Sequence, residues 1–319
     1  MSRTDMAGLQ LNVDVVDMYL RTLFRRCKLE ERLGASAPVY LTAVLEYLLA
    51  EILELSGGGG LDFSELKKLN KAGVNTLLIH PVDIVGAVSE DEDLCSALVS
   101  DSGLLEHIRD DKEQTGEAIG RMLASEKAKI LESVAAEGEQ AEDDSKDGEV
   151  DKGYKGLTEF RELNAHDTVN LLKLDIPKIL AQVHPIHTMS DEGMEVLCEL
   201  LKIFLLRLDL HLMALHAKRL AVSEGRATLT GMEVQSAMRS VFAAGEDPDE
   251  QSEVFKHAQS EGKKAVRKVV QSRSLAKGQN LAAAPVKERQ GELGLLESIF
   301  GSYLAQRLSL GVPSLAKES

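Results

Sequence analysis

The stretch Gly34-Ala35-Ser36-Ala37-Pro38-Val39-Tyr40-Leu41-Thr42-Ala43-Val44-Leu45-Glu46-Tyr47-Leu48-Leu49-Ala50-Glu51-Ile52-Leu53-Glu54-Leu55 decides the fold. From Val39 onward it holds no proline or glycine and is dense in leucine and alanine, residues that lose little on entering a helix. At about 100° per residue, Glu46, Glu54 and Glu51 fall near 0°, 80° and 140°, and Leu41, Leu45, Leu48, Ile52 and Leu55 cluster near 180–260°. Burial of the apolar stripe is expected to turn the three carboxylates to solvent together. Four consecutive glycines from Gly57 to Gly60 then stop the helix.

Outward from this segment, helical periodicity dominates and nothing alternates as a strand would. A first helix is expected from about Val13 to Cys27, with a turn around Gly34 to Pro38. A short helix after Pro81 carries Ile84, Val85 and Val88 and ends in Ser89-Glu90-Asp91-Glu92-Asp93. The second half repeats the plan. Ile179, Leu180 and Val183 precede His184-Pro185, and Met194, Leu197, Leu201, Phe204, Leu208, Leu212 and Leu215 then follow at helical spacing. Beyond Gly225, Thr230 opens a third helix with Glu233 placed for a capping box and Val234, Ala237, Met238 and Val241 on one face. A single short–long–short unit would leave its long helix half uncovered. Two in one chain predict an all-α pseudo-dimer.

The units span residues 12–108 and 166–272. Residues 109–165 read as an acidic linker. Its front, with Ile119, Met122, Leu123, Ile130, Leu131 and Val134, suits an amphipathic helix, and its rear, Glu137 to Lys155, has the composition of a disordered segment. Residues 273–319 form a further linker and an amphipathic helix through Leu293, Leu296, Ile299, Phe300, Tyr303 and Leu308.

Bulk composition sets limits. The formal charge of −15 argues against a simple nucleic-acid binder. That charge is uneven: residues 1–108 carry 9 basic and 17 acidic groups, residues 109–165 carry 9 and 16, and residues 166–319 carry 19 of each. Cys27, Cys95 and Cys198 fit neither a zinc pattern nor a disulfide framework, which points to a reducing compartment. No apolar run is long enough for a membrane span, and the amino terminus lacks the pattern of a signal peptide.

The quoted stretch resembles the first loop and long central helix of core histone 2A, from which it differs at few positions. The second half is similar to histone 2B. Gln182-Val183-His184-Pro185 matches that family's first loop, and Arg226-Ala227-Thr228-Leu229-Thr230 its second. Glu233-Val234-Gln235-Ser236-Ala237-Met238-Arg239 matches the third helix. Lys256-His257-Ala258-Gln259-Ser260-Glu261-Gly262-Lys263-Lys264-Ala265-Val266 looks like its carboxy-terminal helix. The whole resembles a fused histone 2A–2B doublet such as those of giant DNA viruses.

The resemblance implies two histone folds in an intramolecular handshake. It further implies a chromatin protein that stands in for a histone 2A–2B dimer, in the nucleus or, for a viral protein, in the host nucleus, viral factory and virion. The implied partners are double-stranded DNA without sequence preference, a histone 3–histone 4 tetramer or fused equivalent, arginine-anchor proteins and histone chaperones. No cofactor and no catalysis are expected. The implied DNA-facing residues are Arg25, Arg26, Arg32, Arg226 and Thr228. The implied acidic patch comprises Glu46, Glu51, Glu54, Asp91, Glu92, Asp93, Glu253 and Glu261, all of them acidic here. Such a patch receives a partner's arginine through charge-assisted hydrogen bonds.

Departures from the pattern support a rival reading. Leu78 stands where the histone 2A family has an arginine, Ser223 where histone 2B has a docking aromatic, and lysine-rich tails are missing. The loop before Ile79-His80-Pro81 is expanded and carries Lys67, Lys68 and Lys71. On the rival reading the chain is an acidic binding module, or decoy, that engages patch partners or chaperones without wrapping DNA. His184, His187, His211 and His216 lack companions at ligand spacing, so no metal is expected.

Overall fold

Proline, glycine and capping side chains set the helix ends. The computed structural model describes residues 1–26, 32–57, 77–99, 124–125, 128–129, 151–222, 228–242 and 252–276, with backbone alone at 26, 32, 151–159, 216–222 and 276. The first half runs α1 (Arg3–Ala7), α2 (Val13–Arg26), β1 (Arg32–Leu33), α3 (Ser36–Ser56), β2 (Leu77–Ile79), α4 (Pro81–Glu90) and α5 (Glu92–Leu98). The second half runs α6 (Asp151–Leu172), α7 (Ile176–Val183), β3 (His187–Met189), α8 (Asp191–Val222), β4 (Thr228–Leu229), α9 (Gly231–Val241) and α10 (Glu253–Ala276).

The local rules hold at several ends. The Gly57 N–H donates to the Leu53 carbonyl at 3.0 Å and closes α3. Pro81 opens α4 where its missing N–H is harmless, while the His80 N–H donates to Asp83 at 2.7 Å. Thr230 and Glu233 form the expected capping box of α9: the Met232 N–H donates to the Thr230 hydroxyl and the Thr230 N–H to Glu233.

Long helices from each half pack on short helices from the other. α3 carries α2 and α4 of its own half and also α7, α9 and α10 of the second. α8 carries α6 and α9 together with α4 and α5. Hydrogen bonds cross in the same sense: Arg207 on α8 donates to the Ser96 carbonyl at 2.6 Å, and His184 meets the Glu54 carbonyl at 3.1 Å. Tyr40, Leu45, Ile52, Phe204, Leu208 and Phe255 therefore lie in one continuous apolar core. With α8 running 32 residues, about 48 Å, one core can be shared along its length.

Besides α5 and the four short strands, which the sequence reading did not place, two helices differ from it. α6 begins at Asp151 and runs unbroken through the expected linker boundary at 165/166. Its inward positions are Arg161, Asn164, Ala165, Thr168, Val169 and Leu172, at helical spacing against α2 and α8. Three of these six are polar, which hides the stripe from a search for apolar periodicity. The Asn164 side chain donates to the Tyr19 carbonyl at 3.3 Å and Thr168 to the Asn164 carbonyl at 2.7 Å, so two of the polar groups are satisfied. The other difference is α1, a single turn that tucks against α10. The linker helix expected from Ile119 to Val134 and the helix near Leu293 to Leu308 lie outside the described residues, apart from exposed helical backbone at 124–125 and 128–129.

No described helix is long and apolar enough to cross a membrane. Cys95 and Cys198 are buried.

Candidate functional site: paired loops and an acidic face

Each half contributes two short extended segments, and they pair across the halves. β1 runs parallel to β4, with Arg32 opposite Thr228 and Leu33 opposite Leu229. β2 runs parallel to β3, with Leu77, Leu78 and Ile79 opposite His187, Thr188 and Met189. The Gly34 N–H extends the first ladder by donating to the Leu229 carbonyl at 2.7 Å. A Cβ at Gly34 would stand 3.0 Å from that carbonyl oxygen, a close approach that a larger residue would crowd.

The first ladder brings the backbone of Arg32 beside an exposed Thr228. Directly after it, the Gly231 N–H donates to Ser36 at the start of α3, so α9 and α3 begin side by side. Arg25 is exposed near the end of α2, and Arg26 is the last residue of that helix. The side chains of Arg26 and Arg32, and all of Arg226, lie outside the described residues. At the second ladder Leu78 is 49% exposed, so an apolar side chain occupies a solvent-facing loop position.

The acidic residues divide into two groups. Around Tyr47 the structure gathers Glu51, Asp91 and Glu261. Burial raises the Tyr47 phenol above its ordinary range, and those three carboxylates raise it further, Glu51 through a hydrogen bond. The ring meets His257 of α10 edge-on at 6.2 Å. Glu54 and Glu92 are exposed. Glu261 also pairs with Lys264 at 2.6 Å and Glu253 with Lys256 at 2.6 Å, both exposed pairs of small energetic weight. The Glu253 carboxyl is lowered, first by its hydrogen bond from Lys256.

Glu46 and Asp93 differ from the solvent-facing role expected for them, because each is engaged by backbone donors. The Glu46 carboxylate accepts the N–H groups of Gln10 and Leu11 at 2.6 and 2.9 Å. Burial raises its pKa, against the pull of those donors and of Lys268. Asp93 accepts the Val254 N–H at 3.3 Å at the start of α10, and Asp91 accepts the Leu94 N–H at 2.8 Å as the cap of α5. The physical reason for Glu46 is α1. The chain doubles back after Gly8, whose φ is 69°, and lays its next N–H groups over α3. What remains is a groove of about 230 Å3 lined by Gly8, Glu46, Tyr47, Glu261, Lys264 and Lys268.

Sequence reasoning missed a buried polar cluster under the apolar face of α2. Asp209 on α8 is fully buried and accepts the Tyr19 hydroxyl at 2.6 Å, with Arg161 of α6 acting on it as a buried cation. Burial lifts its carboxyl to about 7. The one signal available was an aspartate within the apolar run Leu205-Leu206-Arg207-Leu208-Asp209-Leu210. Among the described residues no group of three or more His, Cys, Asp or Glu is placed to hold a metal ion.

Known proteins resemble part of this chain. A histone 2A of Volvox carteri, its type IV, is 40% identical over 111 residues, 34% of this chain and 74% of that protein. Histone 2A of Chlamydomonas reinhardtii matches with the same identity and coverage. Histone 2A.1 of Tetrahymena pyriformis is 36% identical over 111 residues, 72% of its length. No family model matches the chain, and no solved structure matches it. Identity at this level over nearly three quarters of each relative shows that the chain belongs to the histone 2A family.

Proposed function

We infer that this histone-like chromatin protein takes the place of a histone 2A–2B dimer, its second half serving as the histone 2B-like member. One observation carries this reading: the crossed parallel pairing of β1 with β4 and β2 with β3. That pairing supports two phosphate-gripping loop pairs, one of them combining Arg32, Arg226 and Thr228. Arg25 and Arg26 on α2 add cations beside it. A tether of some fifty residues would make the pairing intramolecular, at about millimolar effective concentration.

On this reading the protein flanks a histone 3–histone 4 tetramer and bends DNA without reading its sequence. The group around Tyr47 offers arginine-anchor partners a carboxylate pocket built from Glu51, Asp91 and Glu261, with Glu54 and Glu92 on its margin. Grip on DNA is expected to be weaker and strongly salt-dependent, because Leu78 offers no cation at the second loop pair. No catalytic step is proposed.

Leu78 and the net charge of −15 also favour a second reading, an acidic module that binds patch partners or chaperones without wrapping DNA. Reconstitution separates the two. The protein is mixed with histones 3 and 4 and DNA of about 147 base pairs, then digested with nuclease. A protected fragment longer than the tetramer alone gives, lost in Arg32→Ala plus Arg226→Ala, supports the histone role. No protection beyond that of the tetramer, with retained binding of an arginine-anchor peptide, sinks it in favour of the module.

A further inference from the structure

We propose that the groove between α6 and the first half of α8 is a docking site for an extended peptide segment of a partner protein, held through an arginine or lysine side chain. Its residues belong neither to the β1–β4 loop pair nor to the carboxylates around Tyr47.

The groove has a volume of about 440 Å3. One wall is a polar stripe on α6, formed by His166 and Asn170 and continued by Lys173 just beyond its end. The other is a polar stripe on α8, formed by Glu192, Glu195, Glu199 and Lys202. Steps of three and four residues set each stripe on one face of its helix. Pro81, at the start of α4, also lines the groove, so both halves of the chain contribute.

Each wall bonds within itself. His166 meets Asn170 at 2.9 Å, and Lys202 holds Glu199 at 2.6 Å. Among the described residues, no hydrogen bond or ion pair joins one stripe to the other. The Cys198 thiol, which lines the groove and is 4% exposed, has no hydrogen-bond partner among them. Two helices that only packed together would bring apolar groups to this seam or pair the polar ones. These walls stand apart with their polar groups unpaired across the gap, as a site that exchanges water for a ligand requires.

Charge selects the ligand. Lys202 is buried and Glu199 neutralises it, which leaves the exposed Glu192 and Glu195 against Lys173. The start of α8 accounts for Glu192 in its first turn, but Glu195 lies beyond that turn. The surplus is negative, so a guanidinium or ammonium is drawn in and DNA phosphates are repelled. In the adjoining β2–β3 ladder the exposed Leu78 supplies no cation to reverse that preference.

Length selects a peptide over a small amine. From Glu192 to Lys202 the α8 wall rises about 15 Å, the span of about four or five extended residues. Asn170 keeps its amide oxygen for a main-chain N–H of that peptide.

The test is fluorescence anisotropy with a labelled peptide of about six residues that carries two arginines. The reference is the full chain with Glu51→Gln and Glu261→Gln, which weakens competing binding at the carboxylates around Tyr47. On that background Glu192→Gln plus Glu195→Gln should weaken binding about five- to tenfold, the loss expected for two exposed charge pairs. Asn170→Arg, which sets a cation on the opposite wall, should weaken binding while both carboxylates remain. Unchanged thermal melting of these variants separates loss of charge from loss of fold. Equal affinity in both variants, or no binding of the peptide to the reference chain, overturns the proposal. Displacement of the peptide by spermidine at equal concentration also overturns it, since the groove would then take small amines. A labelled DNA duplex that binds the reference chain and is lost in the Glu192→Gln, Glu195→Gln variant would place DNA there instead, and the proposal again falls.

Discussion

Asp209 is a carboxylate placed where carboxylates are costly. It is wholly buried, one oxygen accepts from Tyr19, and the other has no hydrogen-bond partner. Burial raises its pKa from the usual 3.8 to about 7, while Tyr19 and Arg161 pull the other way. The folded chain therefore binds this proton more tightly than the unfolded chain. The group's contribution to stability is complete below about pH 4 and is lost as pH rises through about 7. Asp209→Asn keeps an acceptor for Tyr19 and removes the charge. Urea unfolding should show the variant gaining stability at pH 8 relative to pH 5, by an amount on the order of 1–3 kcal/mol. An equal change at both pH values would mean that the aspartate charge is not the cause.

At the scale of elements, the amino-terminal segment is held by few groups. α1 packs on α10, Arg3 pairs with Asp17 at 2.8 Å, and Glu46 receives the N–H groups of Gln10 and Leu11. Removal of the Glu46 acceptor leaves two partly buried donors unpaired, a loss of about 1–3 kcal/mol. Glu46→Ala should therefore speed hydrogen exchange at Gln10 and Leu11 while the amides of α8 stay protected. Unchanged exchange at those two positions would show that α1 is held by packing alone. The sequence placed Glu46 correctly around the axis of α3, at the edge of its acidic arc. It could not show that α1 would reach that edge first. α6 teaches the converse. Its inward face carries Arg161, Asn164 and Thr168, so an element that packs on both halves reads as linker.

The whole molecule shares one core between its halves, and this sharing has a direct consequence. Fragments 1–140 and 141–319, expressed together, should elute as one species of equal stoichiometry, and neither alone should show cooperative unfolding. Each long helix lacks its partner's short helices when separated, exposing apolar surface worth about 25 cal/mol per Å2. Independent cooperative unfolding of either fragment would count against a shared core.

Helix content, the end of α3 and the start of α9, the repeated short–long–short order and the likeness to histone 2A were determined by the sequence alone. Each is set by neighbours a few residues apart: apolar spacing, Gly57, Pro81, and the Thr230–Glu233 box. The tertiary structure alone decided which charges serve the surface and which serve the fold. It drew Glu46 and Asp93 onto backbone donors and sealed Asp209 beneath Tyr19. The reason is physical. Local periodicity fixes the angle at which a side chain leaves its helix, but whether that angle meets water, an N–H group or another charge depends on segments arriving from far along the chain.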